Sequence, residues 1–240
     1  MGCYCTHKLA EGEAEEEALI QEAERLTGFS NFCFSKLCDE IDALSQGQRT
    51  DIGKLKLLGS RLKLEGGAQE EKKGSTAAFY MNLCARCNWS SRRLLLLAIL
   101  LGSGDMPSKS QRLFSIYQRN NLLHSPESEQ LCRDICTVTL VELPEHCAER
   151  LEVLQQLDAA VLAQNYSARL KEALATAVKE FSGRLVGGRE SLDCEQFTMR
   201  ALAPDLTFLL STKGLRREAL AAYRKVLKDH NKPNGKARTT

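Results

Sequence analysis

Features that assign many proteins to a broad class are missing from this sequence. There is no excess of one charge: 33 basic residues stand against 31 acidic ones, giving a net charge of +2. A chain without a strong positive field is not expected to bind nucleic acid. Long apolar runs are missing too, since the longest covers only residues 94–101, whereas a membrane-spanning helix needs about 20 apolar residues. That run therefore predicts a buried segment.

Catalytic signatures are also missing. The sequence contains no Gly-rich phosphate loop, no H-E-x-x-H, no G-x-S-x-G and no kinase motif. No pair of carboxylates stands alone in an apolar stretch, as a catalytic acid would. We therefore expect a protein that is not an enzyme and uses no cofactor. An enzyme of unrecognised type stays the alternative, and a deep pocket with converging polar groups would favour it.

The sequence contains ten cysteines, and whether they form disulfides depends on the redox state of the compartment. The first 25 residues lack the apolar segment of a secretory signal and carry an acidic run at 11–17. We therefore expect a reducing compartment and thiols without disulfides. Four of the cysteines lie in apolar-periodic stretches, which predicts that they fill the core. These are Cys33, Cys132, Cys136 and Cys194.

The N-terminal sequence MGCYCTHK has the pattern of a fatty-acylated segment. Removal of Met1 exposes Gly2, and Thr6 occupies the hydroxyl position of the myristoylation pattern. One myristoyl chain gives marginal membrane binding, whereas a second acyl chain makes it stable. Cys3 and Cys5 are the natural sites for that second chain. We therefore predict lipidation at Gly2, Cys3 and Cys5, and a lipid-anchored location on the cytoplasmic face of a membrane.

Two metal-binding alternatives use cysteines. Cys3 and Cys5 with His7 would form a partial site, but no second ligand cluster follows at a suitable spacing. Cys84 and Cys87 form a lone C-x-x-C pair, which would need a second thiol pair. That pair would be Cys132 and Cys136, four residues apart on one helix face. Core packing explains both pairs more simply, so we predict no metal site.

Apolar periodicity predicts helices along most of the chain and no strand-rich hairpin, so the fold class is all-α. Residues 12–25 favour helix but are nearly all polar, which predicts a solvated linker helix. Pro144 is expected to break the chain, and Asn165 to separate two helices at 145–164 and 167–183. The other predicted helices cover 30–44, 52–64, 77–86, 90–101, 110–119, 127–143, 191–203 and 205–229.

One segment resembles a known family. Residues 27–57 contain TGFS at 27–30 followed by Leu37, Ile41, Leu44, Ile52 and Leu57. This pattern resembles the first EF-hand of the calcineurin B homologous, tescalcin and calcium- and integrin-binding family. If Ser45 is loop position 1, Ile52 falls at position 8, which in that family forms a small β-bridge to the paired hand.

The ligand positions of this loop lack the oxygen donors that calcium needs at positions 1, 3, 5 and 12. They hold Ser45, Gly47, Arg49 and Lys56, and Thr50 replaces the glycine of the sharp turn. Two weaker candidate loops follow at 185–196, with Leu192 at position 8, and at 118–129. The first lacks donors too, and the second contains Leu122 and Pro126. We therefore expect a degenerate, calcium-independent hand.

The resemblance implies paired helix-loop-helix units with extra C-terminal helices. Its division of the chain is 1–26 (acylated segment and linker helix), 27–143 (first helical half), 144–230 (second half) and 231–240 (disordered tail). It also implies a hydrophobic groove for a partner's amphipathic helix, such as one from a membrane protein. The expected groove residues are Phe34, Leu37, Ile41, Leu94 and Leu97. The function predicted on this basis is a membrane-anchored adaptor or regulator.

A second resemblance supports an alternative function. Residues 213–234 look like the second half of a tetratricopeptide repeat, with Gly214, Ala219, Tyr223 and Pro233 at its spacing. A single unit cannot stand alone, since stacked repeats need about three. The echo of 218–227 at 172–181 is too distant for this repeat. The alternative is a helical-repeat scaffold for a membrane-bound complex.

Overall fold

The computed structural model describes residues 13–45, 52–62, 75–86 and 90–230. Helices supply nearly all the regular structure in these ranges, so the predicted all-α class is confirmed. The helices are α1 (Glu13–Leu26), α2 (Phe34–Leu44), α3 (Ile52–Leu62), α4 (Thr76–Ala85), α5 (Arg92–Leu101), α6 (Met106–Tyr117), α7 (Ser125–Thr137), α8 (Leu143–Val153), α9 (Leu157–Val186), α10 (Cys194–Ala201) and α11 (Thr212–His230). Two-residue strands β1 (Leu123–His124) and β2 (Ser191–Leu192) pair antiparallel.

Helix α5 lies at the centre of the N-terminal half, as its apolar run predicts. Every side chain from Leu94 to Leu100 is buried, and the helix packs mainly against α2. Gly102 ends α5, and the chain then pairs Ser103 with Cys33 in an isolated parallel bridge. Among the described helices, none combines the length and apolarity needed to cross a membrane.

Helix α1 is not the solvated linker helix that its polar sequence predicts. Its buried residues include Ile20 and Ala23 together with four of its glutamates, and it packs against α8 and α9. The buried carboxylates are paired with arginines that lie more than 150 residues later in the chain, on α9 and α11. A polar helix can be buried when each charge has such a partner.

The predicted break at Pro144 is also wrong. Helix α7, a wider π-helical turn at Val138–Glu142 and helix α8 follow one another without interruption. Pro144 lies in the first turn after the hydrogen-bond register changes, where a missing N–H costs least. The predicted boundary between residues 143 and 144 thus falls inside continuous helix.

Helix α9 continues through Asn165, where the sequence predicted a separation. Its buried stripe crosses that point, with Ala163, Tyr166 and Leu170 fully buried, while Asn165 faces solvent. The actual turn comes earlier, between Val153 and Leu157, where Gln155 has a φ of 59°. An exposed asparagine therefore weakens a helix too little to end it when the apolar stripe continues.

The β1–β2 pair joins two helix-loop-helix units, α6–α7 and α9–α10. It aligns Leu123 with Leu192, both of which are buried. Helix α10 then starts with a reciprocal cap in which Asp193 and Gln196 each bond the other's backbone N–H. The pairing fixes the two loops side by side at one end of α9.

Candidate functional site

Four large aliphatic side chains are exposed together around the α8–α9 turn. Val153, Leu154, Leu157 and Val161 are 52%, 55%, 67% and 52% exposed; we call them the apolar tip. Leu157 and Val161 stand four residues apart on α9 and so share a face. A single exposed leucine is ordinary, whereas several aliphatic side chains clustered on one turn mark an interaction surface.

Charged side chains border the apolar tip, and most are acidic. Glu149 and Glu152 lie on α8 before the turn and Asp158 lies in the first turn of α9, and Arg150 is a cation in the same part of α8. Glu152 accepts a hydrogen bond from Gln164 of α9, which helps to hold the turn. An apolar centre with a carboxylate rim fits a partner that has an apolar face and basic flanks.

A second polar feature is a cleft between α4 and α8. Its walls are formed by Phe79, Asn82, Leu83, Arg86, Glu142, Glu145, His146 and Glu149. The ring of His146 stacks on Phe79 with centroids 4.4 Å apart and 13° between planes. The space suits a water molecule rather than a larger ligand.

Glu142 and His146 project from one helix face into this cleft, and each is 4% exposed. Arg93 of α5 donates a hydrogen bond to one Glu142 oxygen. The other Glu142 oxygen and Nε2 of His146 have no hydrogen-bond partner among the described residues. Burial raises the pKa of Glu142 to about 7 and lowers the pKa of His146 to about 4. Both side chains are therefore neutral over part of the acidic range.

These two residues make opposite contributions to stability as pH changes. The Glu142 contribution is present below its ordinary pKa of 4.5 and is lost as pH rises through about 7. The His146 contribution is present above its ordinary pKa of 6.5 and is lost as pH falls through about 4. Between pH 4.5 and 6.5, therefore, a rise in pH lowers the Glu142 contribution to stability and increases the His146 contribution.

Replacing either residue should leave only the pH dependence of stability that the other residue causes. Relative to wild type, Glu142→Gln is expected to become more stable as pH rises from 4.5 to 7, by about 1–2 kcal/mol. His146→Phe, which keeps the stacking on Phe79, should change in the opposite sense. Urea unfolding followed by circular dichroism across this range checks both, and parallel wild-type and variant curves would contradict them.

The predicted groove residues do not line an open groove. Phe34 is 6% exposed, and Leu37, Ile41, Leu94 and Leu97 are at most 1% exposed. They belong to one hydrophobic core because α2 and α5 pack directly on each other. The predicted lipidation sites Gly2, Cys3 and Cys5 and the tail 231–240 lie outside the described residues.

The structure describes the three predicted EF-hand loops to different extents. Residues 46–51 of the loop 45–56 lie outside the described residues, and residues 52–56 form the start of α3. In the loop 185–196, Leu192 forms a bridge, and its partner is Leu123 of the third candidate. That partner is two residues before position 8 of the 118–129 frame. The bridge shows two neighbouring helix-loop-helix units and assigns no family.

The residues of the tetratricopeptide-like segment have a local explanation. Gly214 and Ala219 lie on α11, which packs on the 3-10 turn Thr207–Leu210. A Cβ at Gly214 would come within 3.0 Å of the Cα of Phe208. Close packing of α11 therefore accounts for the small residue without a repeat.

The cysteines divide between buried and exposed positions. Cys132 and Cys136 are fully buried, as predicted for core residues, and Cys194 is half-buried. Cys33, also predicted to fill the core, is exposed, because it precedes the first turn of α2 and lies off its apolar face. Cys87 lies outside the described residues, and within them no three His, Cys, Asp or Glu side chains are grouped to hold a metal ion.

Sequence patterns gave no signal for the apolar tip, because its leucines and valines read as part of amphipathic helices. Only the position of the α8–α9 turn shows that they are exposed. Comparison of this chain with protein-family models, with curated proteins and with solved structures found no match.

Proposed function

We propose that this chain is a membrane-anchored, non-catalytic adaptor that binds a basic amphipathic helix of a partner protein at its apolar tip. The observation that carries the proposal is that Val153, Leu154, Leu157 and Val161, which lie in sequence around the α8–α9 turn, are each more than half exposed. The acidic rim favours a partner with basic residues beside its apolar face. Cytoplasmic segments next to membrane spans are rich in Lys and Arg, so the juxtamembrane helix of a membrane protein fits both requirements.

The N-terminal sequence supports the same function. Acyl chains at Gly2, Cys3 and Cys5 would place the chain where such juxtamembrane helices occur. Helix α1 is the first described element after these sites. Glu16 of α1 pairs with Arg169 of α9, which ties that end of the chain to the helix that carries Leu157 and Val161.

Binding at the tip can be measured with a synthetic helix. A Leu/Lys amphipathic peptide should bind the full chain in fluorescence anisotropy, and a Leu/Glu peptide of the same pattern should bind much more weakly. Leu154→Ser with Leu157→Ser should weaken Leu/Lys binding by about tenfold or more, as loss of a buried anchor does. Met199→Ser is the matched control, since Met199 is 68% exposed on α10. Equal binding of both peptides, or an unchanged double variant, would refute the site.

Membrane attachment has its own test. In cells, Gly2→Ala should move the protein from the membrane fraction to the soluble fraction. Cys3→Ser with Cys5→Ser should leave only weak, reversible attachment, because one myristoyl chain binds with an association constant of about 10⁴ M⁻¹. Neither change should alter peptide binding at the tip. Retention of Gly2→Ala at the membrane would count against myristoylation.

A further inference from the structure

Helix α11 continues well past the core on which it packs. Its last buried residue is Ala222, whereas the helix runs on to His230, and a stretch of that length spans about 12 Å. Every side chain from 225 to 229 is exposed. Val226 and Leu227, which lie in this stretch, are 36% and 43% exposed. Nothing among the described residues covers residues 225–229, which we call the α11 end.

The α11 end and the sequence after it are basic. Residues 225–240 contain five Lys or Arg residues and one acidic residue, Asp229. Lys225 and Lys228 stand three residues apart and so lie on one side of the helix, next to Val226 and Leu227. Lysines beside exposed aliphatic side chains on a helix are typical of a segment that lies on an anionic lipid surface.

The start of α1 lies beside the α11 end. Arg224, directly before the α11 end, pairs with Glu13, the first residue of α1. The predicted acylation sites Gly2, Cys3 and Cys5 come before Glu13 in the sequence. A fully extended chain from Cys5 to Glu13 would span at most about 29 Å. Acyl chains inserted at these sites would therefore bring a bilayer within reach of the α11 end.

The acidic residues at the start of α1 oppose such a contact less than their number suggests. Glu13, Glu16 and Glu17 each pair with an arginine of α9 or α11. Glu15 is exposed and remains as an opposing charge on this stretch. An ion pair has no net charge and repels an anionic surface only weakly.

We propose that the α11 end is a second membrane contact, which binds the anionic lipid headgroups of a bilayer through Lys225 and Lys228 and places Val226 and Leu227 at the edge of the acyl region. It rests on the proposed membrane attachment for bringing the bilayer close. One acyl chain attaches a protein only marginally. Each basic residue near an anionic surface strengthens binding by about fivefold.

The test uses the full chain with Gly2→Ala, Cys3→Ser and Cys5→Ser, so that no acyl chain contributes. Co-sedimentation measures its partition onto phosphatidylcholine vesicles with about one part in three phosphatidylserine, and onto phosphatidylcholine alone. The protein should bind the anionic vesicles selectively, and high salt should release it. Lys225→Gln with Lys228→Gln should lower the partition coefficient by about fivefold for each lysine.

A matched pair of exposed lysines lies at the other end of α11 and α9. Phe208, in the turn before α11, contacts Phe181 of α9 with ring centroids 4.7 Å apart. Lys213 and Lys179 are close to these two residues in sequence, and both are exposed. Lys213→Gln with Lys179→Gln makes the same change in net charge and should leave the partition coefficient unchanged.

Three outcomes would overturn the proposal. The first is an equal loss of binding in the two double variants, and the second is equal binding to neutral and anionic vesicles. The third is binding of a poly-glutamate peptide through Lys225 and Lys228 without binding to vesicles, which would assign the α11 end to an acidic protein. Because no acyl chain is present, these results are independent of myristoylation, which the fractionation of Gly2→Ala tests separately.

Discussion

We expect Arg216→Met to lower the free energy of unfolding by about 3–5 kcal/mol, because it leaves two carboxylates buried without a cation. Arg216 is fully buried on α11. Its Nε and Nη2 donate to the two oxygens of Glu17 at 2.8 and 2.6 Å, and its Nη1 donates to Glu24 at 2.6 Å. Tyr166 of α9 also donates to Glu17, at 2.9 Å. We call these four residues the Arg216 cluster.

The protonation of the cluster follows from the same contacts. Burial alone would raise the pKa of Glu17, but the hydrogen bonds and charge of Arg216 outweigh it and lower that pKa. Glu17 therefore stays ionised in the folded protein, and removing the guanidinium exposes the full cost of burying its charge.

Two comparisons make this result specific, with urea unfolding as the measurement. Arg133→Met removes an arginine from the exposed pair with Glu129, and should cost at most about 1 kcal/mol. Combining Arg216→Met with Glu17→Gln and Glu24→Gln removes the unpaired charges and should recover part of the loss. If the triple variant is as unstable as the three separate losses added together, the ionic explanation is wrong.

The Arg216 cluster also shows where sequence reasoning stops. The helix predicted over 12–25 is confirmed by α1 (Glu13–Leu26), because propensity and charge pattern are local properties. Their burial could not be predicted, since the arginine that neutralises Glu17 is 199 residues away. A glutamate on a solvated face and a glutamate paired inside the core look the same in sequence.

The stretches that sequence predicted well depend on apolar periodicity. The stripe of α2 and the run of α5 are buried as expected. Their burial is also why the predicted groove fails: a stripe shows that a helix face is covered, and the cover here is another helix of the same chain. The apolar tip shows the opposite error: its residues look like the covered face of a helix but are exposed. Their exposure could not be predicted because it depends on where the α8–α9 turn falls.

Cys33 and Pro144 are two residues whose roles depend on register. Cys33 lies one residue before α2 begins, so a helix drawn from Ser30 places it inside a stripe that it does not join. Pro144 is tolerated because the π-helical turn before it changes the hydrogen-bond register. Neither a 3-10 turn at Phe29–Asn31 nor a π turn has a sequence signature as clear as the α-helical period.

The second large effect is expected at the end of α5. Gly102→Ala should lower the free energy of unfolding by about 3 kcal/mol, the upper end of the usual cost of overpacking. A Cβ there would come within 2.6 Å of the Ala98 carbonyl oxygen and 2.8 Å of the Cα of Phe34. Both are backbone atoms and cannot move aside without shifting α5 or α2.

Backbone conformation does not explain this glycine, because its φ of −63° and ψ of 151° suit any residue. The control is Gly183→Ala in α9, where a Cβ would meet nothing within 4 Å. That change should stabilise the protein by about 0.5–1 kcal/mol, as alanine does inside a helix. Opposite signs in urea unfolding would assign the cost at Gly102 to the close approach of α2 and α5, whereas equal signs would contradict it.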